Sequence, residues 1–200
     1  MQNGGSVSIQ TLIQHLLDTG AFAEFNTALA EILQHHDIQV VFNKLEKGKP
    51  MSATEYESGK IIIEIDPEQI IYYSQEQAAE YLLHEAVHGV SIHALNNPTT
   101  VEEKAFSEAT NKVYDTFNKL MPESLWSRDS LESGAYILSD KYEFAAVFAT
   151  DDNSRRLLYE VAIKEDKANN NKVFLRLKKF INALSRLLVN KNVFKGIKED

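Results

Sequence analysis

An α+β fold, predominantly helical and with one small β-sheet ahead of a motif-bearing helix, is what this sequence predicts. Three observations carry that expectation. Apolar residues recur at helical spacing over most of the chain, two short β-branched runs stand between breakers in its first third, and paired capping signals mark helix starts. Two hundred residues with 44% hydrophobic side chains, no internal repeat and no low-complexity segment suit a single domain, expected over 1–200.

In chain order, residues 1–6 read as a disordered tail. Ile9, Leu12, Ile13, Leu16 and Leu17, then Phe22, Phe25, Leu29, Ile32 and Leu33, predict two amphipathic helices separated by Gly20. Residues 38–42 and 61–65 predict two strands, neighbours in one sheet, with Lys47, Gly48, Lys49 and Pro50 as breakers between them. Residues 7–58 therefore hold the first helices and strand, and 59–190 the core. Ser74 and Gln77 form a capping box that opens a helix through Ala78, Leu82, Leu83, Ala86, Val87 and Val90. Asn96, Asn97 and Pro98 end it. A second box, Thr100 with Glu103, begins a helix through Ala105, Val113, Phe117 and Leu120, and Pro122 closes it. After a looser stretch with Trp126 and Gly134, helices are expected over 139–150 and 153–163, then a polar segment at 166–171. The final helix, 172–189, carries Val173, Phe174, Leu177, Phe180, Ile181, Leu184, Leu187 and Leu188 as one apolar stripe.

Charge and composition remove several functions. With 29 acidic against 21 basic residues the chain carries −8, which argues against affinity built on neutralising nucleic-acid phosphates or anionic membrane. Arg155, Arg156, Arg176, Lys178 and Lys179 read as solvated helix faces. No apolar run approaches the roughly 20 residues that span a bilayer, and the first ten residues lack the pattern of a secretion signal, so a cytoplasmic protein is expected. Zero cysteine excludes disulfides, thiol nucleophiles and cysteine zinc sites, leaving histidine and carboxylate for any metal. There is no GxSxG elbow, no P-loop and no GxGxxG.

One pentapeptide carries chemistry: His84-Glu85-Ala86-Val87-His88. Residues i and i+4 lie one turn apart on one helix face, so both imidazoles can address a single Zn²⁺. Glu85, rotated about 100° from His84, stands beside the ion rather than on it, placed as general base for water that the ion activates. The alternative is a chance pair of surface histidines, against which the amphipathic, capped helix weighs.

A catalytic zinc keeps three protein ligands and an open position. His93 is the first candidate for the third. A longer HExxHxxGxxH motif would need glycine at 91 and histidine at 94, where this chain has Ser91 and Ala94. Nine residues after His84, His93 falls about 180° away around a continuing helix and reads as a surface or supporting residue. Glu102, Glu103 and Glu108 sit among charged neighbours and read as solvated surface. Glu143 differs, because it is the one charged residue among 142–149, otherwise apolar apart from Tyr142. A carboxylate in such surroundings needs a partner, and a metal is one; the alternative is a glutamate on the single polar stripe of that helix.

The HEAVH motif, followed by Gly134, Tyr136, Asp140 and the segment Tyr142-Glu143-Phe144-Ala145-Ala146-Val147-Phe148, resembles the zincin-like metallopeptidase domains of phage and mobile-element polyvalent proteins. More remotely it is similar to the catalytic domain of anthrax lethal factor. The resemblance covers about residues 60–190. It implies a zincin-like fold of gluzincin type, Glu143 as third zinc ligand, and a tyrosine seven residues earlier, Tyr136, facing the metal. Val147 departs from the pattern, since many members have a second glutamate there, which touches supporting hydrogen bonds more than the ligands.

The implied activity is a zinc metallopeptidase acting on a peptide or protein substrate, with Glu85 as base and Tyr136 donating to the oxyanion or the leaving amine. The strand at 61–65 is expected as the sheet edge on which an extended substrate pairs, or else as an ordinary core strand. An inactive zinc-binding zincin serving as an interaction module is the alternative function, and a helical adaptor without metal a further one. The resemblance also leaves open that these 200 residues belong to a larger polypeptide.

Overall fold

The structure, a computed structural model, describes residues 23–46, 48–55, 60–121 and 136–191. The expected helix containing Ile9 to Leu17, and the loop residues Trp126 and Gly134, lie outside the described residues. Described secondary structure is mostly helical with one three-stranded sheet. The chain divides into two compact units between His93 and Ala94.

The first unit opens with helix α1 (Ala23–His35), whose Leu29, Ile32 and Leu33 are buried. Strands β1 (Ile38–Phe42), β2 (Met51–Glu55) and β3 (Ile61–Ile65) come next, in the order β1-β3-β2. β3 runs parallel to β1, pairing Ile38 with Ile61 and Phe42 with Ile65, and antiparallel to β2, pairing Met51 with Ile65 and Glu55 with Ile61. This corrects the expectation of a substrate-pairing edge at 61–65. With hydrogen-bonded strands on both sides, β3 is the central strand and its backbone groups are already spent within the sheet. Its alternation places Ile61, Ile63 and Ile65 in the core, as a central strand with one packed face requires. The strand that sequence alone does not predict is β2, a polar edge.

Asp66 links the sheet to the helices beyond it. Its carboxylate accepts the backbone N–H groups of Leu45 at 2.9 Å and Glu68 at 2.8 Å, capping the short helix α2 (Pro67–Ile70), whose first residue is the proline such a position favours. Helix α3 (Gln75–Asn96) begins with the expected capping box: Ser74 Oγ accepts from the Gln77 backbone and Gln77 Oε1 from the Ser74 backbone. Leu82, Leu83, Ala86, Val87 and Val90 are buried along it. Gly89 is where α3 meets the sheet, since a Cβ there would lie 2.4 Å from Ile61 Cγ2. Only a glycine permits that approach.

The second unit is helical. Helix α4 (Val101–Leu120) carries the second capping box, with Thr100 and Glu103 each holding the other's backbone. A 3₁₀ turn (Tyr136–Leu138) precedes helices α5 (Lys141–Thr150), α6 (Asp152–Asn169) and α7 (Val173–Val189). α6 continues six residues beyond the expected end at 163, and its carboxyl-terminal Asp166 accepts the N–H groups of Val173 at 2.6 Å and Phe174 at 3.0 Å. That carboxylate replaces the missing cap of α7, whose own cap residue Lys172 has φ +55° and makes no side-chain cap bond. The core is aromatic: Phe144 stands with ring centroids 5.1 Å from Phe180, 5.9 Å from Tyr114 and 6.4 Å from both Phe117 and Phe148. No described helix is long and apolar enough to cross a membrane.

Candidate metal centre

His84 and His88 sit on consecutive turns of α3, as their spacing requires, with ring centroids 4.6 Å apart and planes at 77°. Both are half-buried, as is Glu85. Their positions result from the buried side chains between them: Leu83, Ala86 and Val87 turn inward and fix the rotation of the helix, which leaves the histidine face only partly covered. Gly89 sets the closeness of that helix to β3 one residue after the second histidine.

Glu143 enters from the first turn of α5. Asp140 caps this helix, its Oδ1 accepting the N–H of Tyr142 at 2.8 Å and of Glu143 at 2.9 Å, so the glutamate's backbone is held from below. The next five residues, Phe144 to Phe148, are all buried, and the Oε2 of Glu143 itself is shielded from solvent. The apolar run thus has the burial that its composition implied.

One ligand atom each from His84, His88 and Glu143 lie within 4.8 Å of one another, and among the described residues this is the group that could hold a metal ion. Tetrahedral zinc with ligands at about 2.1 Å would place them about 3.4 Å apart. Two imidazoles and a carboxylate are the kind of three-ligand donor set that catalytic zinc takes. His93 is not in the group. Its Nδ1 lies 2.6 Å from Glu55 Oε1, tying α3 to the edge strand β2. Glu102 and Glu108 are exposed as expected, whereas Glu103 is spent on the cap of α4. Tyr136 begins the 3₁₀ turn, but its side chain lies outside the described residues.

Three residues near the site are not singled out by sequence reasoning. Asp140 belongs there to the resemblance alone, although aspartate three residues before Glu143 is a recognisable cap signal. Gly89 reads as a packing glycine only once Ile61 is opposite it. Tyr81, one turn before Glu85, has its phenol pushed up by burial first, then by Tyr73 (ring centroids 5.2 Å apart) and by the charges of Glu80 and Glu85. Its spacing from Glu85 is the signal that could have found it. Comparison of the chain with protein-family models, with curated proteins and with solved structures found no match.

Proposed function

We propose that this chain is a zinc-dependent metallopeptidase with a zincin-like fold, hydrolysing peptide bonds in a peptide or protein substrate. The observation that carries the reading is the convergence of His84, His88 and Glu143. A small sheet packed on the motif helix, and Glu85 half-buried beside the two histidines, support it further. Zinc, when bound, supplies a Lewis acid and lowers the pKa of water toward about 7. His84, His88 and Glu143 would hold the ion. The carboxylate of Glu85 accepts the proton of the attacking water and returns it to the leaving amine, the acid–base exchange that a positioned carboxylate performs. Tyr136, on the strength of the resemblance, donates its O–H to the developing oxyanion.

Elemental analysis of protein purified without added metal should find one zinc per chain; none would sink the reading. Glu85→Gln should keep that zinc while hydrolysis of a peptide library falls by about 10²–10⁴-fold. Unchanged turnover in this variant would remove Glu85 as the base. Stoichiometric zinc in a parent protein that cleaves no peptide would instead favour the inactive interaction module.

A further inference from the structure

The net charge of −8 conceals a sharp asymmetry. Between Lys167 and Lys198 there are nine lysines and arginines and no acidic residue, so the remainder of the chain, with 12 basic and 29 acidic residues, carries −17. Such segregation is a signature of a surface built for anions. In the second unit part of this basic segment lines a groove of about 700 Å³.

Two matching stripes form its walls. Lys112, Thr116 and Lys119 stand at i, i+4 and i+7 on α4, and Lys172, Arg176 and Lys179 at the same spacing on the start of α7. Each stripe is about 10 Å long. Among the described residues the groove thus gathers five cations against one carboxylate, Asp115. Arg176 Nη1 donates to Thr116 Oγ1 at 3.0 Å, which fixes the guanidinium across the groove on a neutral acceptor. Lys112 is bonded to Glu108 at 2.5 Å, and the carboxyl of Glu108 is held below its ordinary range first by Lys112 and in smaller part by Lys179. Among the described residues, no carboxylate lies within 4 Å of Lys119, Lys172, Arg176 or Lys179. Like charges concentrated in this way repel one another, and a bound polyanion relieves that repulsion.

We infer that this groove binds a compact ligand carrying two or more phosphate groups. Its volume falls within the roughly 300–1,000 Å³ of small-ligand sites. The Arg176 fork suits bidentate phosphate recognition, and the lysines supply point charges at either end. Among the described residues no aromatic ring lines the groove, which therefore offers no stacking platform for the bases of a single-stranded nucleic acid. The inference is independent of the zinc reading.

The test is calorimetric titration of inorganic tripolyphosphate into the whole chain at low salt, without added divalent cation. One site per chain with micromolar affinity is expected, weakening as sodium chloride is raised. Arg176→Glu and Lys119→Glu, both at exposed positions, should each weaken binding about tenfold or more, as loss of a charge-assisted contact implies. Both should melt as the parent does. Arg155→Glu and Arg156→Glu, outside the groove, should leave binding within twofold. Absence of binding at millimolar tripolyphosphate, or equal loss from groove and control variants, would overturn the inference. Tighter binding of a short oligonucleotide than of tripolyphosphate would overturn it too, because the surface would then be a nucleic-acid contact.

Discussion

Helices α3 and α5 present the candidate metal ligands on opposite plans: two histidines on the first, one glutamate on the second. α3 runs for 22 residues, offers two histidines by periodicity, and keeps a half-buried face around them while the other packs on the sheet. α5 runs for ten, offers one glutamate in its first turn, and is buried over the five residues after it. In the first, spacing selects the ligands and burial merely orients the helix. In the second, burial does both, since the aromatic cluster around Phe144 fixes the turn from which Glu143 projects. A ligand pair at i and i+4 needs only a correct rotation, whereas a single ligand needs its whole helix anchored.

The most direct way to break this comparison is to remove one ligand from each helix. His84→Ala and Glu143→Gln should each lower zinc affinity by more than the roughly 100-fold that loss of an outer supporting partner costs, measured by competition with a chelator. Far-ultraviolet circular dichroism should not change. If Glu143→Gln binds zinc like the parent, α5 contributes nothing and the centre belongs to α3 alone. Next in size is the anchor of α5: Phe144→Ala removes a fully buried ring from contact with four others and should destabilise the chain by about 3–5 kcal/mol in denaturant unfolding. A loss under about 1 kcal/mol would show that the cluster does not hold α5.

The anchor of α3 is smaller but has a sign that ordinary helix propensity gets wrong. Gly89→Ala should gain about 1 kcal/mol in an open helix, yet here the new Cβ meets Ile61 Cγ2 at 2.4 Å. Overpacking of about 1–3 kcal/mol offsets or exceeds that gain, leaving a net loss of up to about 2 kcal/mol, with weaker zinc binding because His88 moves with its neighbour. In an Ile61→Ala background, where that methyl is gone, the same substitution should become stabilising. A stabilised single variant would mean that α3 is not wedged against β3.

The same contrast explains how much of the molecule was legible in sequence. Capping boxes at Ser74 and Thr100, the stripe of α7 and the HExxH face are local patterns, and each has its counterpart in the structure. Glu143 was legible as the odd charge in an apolar run. Strand β2 was not, because Met-Ser-Ala-Thr-Glu has weak strand preference and is made a strand by pairing with β3. For the same reason Ile61–Ile65 looked equally like an edge or a centre: the run of isoleucines encodes burial, and strand order is decided by residues elsewhere. The length of α6 escaped because its last turns are polar and are retained by Asp166, which reaches forward to cap α7. Net charge is the coarsest of these signals, because it averages a basic carboxyl-terminal stretch into an acidic whole.

The sheet unit also has a polar fastening, and its removal should give the smallest effect, visible chiefly as a pH dependence. Asp66 is buried, and the N–H of Leu45 does most to hold its carboxyl below the usual range, joined in the same direction by the N–H groups of Glu68 and Gln69, while desolvation opposes them. A depressed folded pKa means that the ionised carboxylate stabilises the fold fully above its unfolded value of about 3.9, and that this stabilisation is lost as pH falls through the folded value. Asp66→Asn cannot reproduce it, since the amide has one acceptor for the two N–H groups that Oδ1 and Oδ2 receive. The variant should therefore be less stable than the parent at pH 6, and the gap between them should shrink on acidification toward pH 3. A gap constant across that range would show that Asp66 fastens the β1–β2 connection to α2 by shape alone, and that the two units differ less in their use of charge than in their use of aromatic rings.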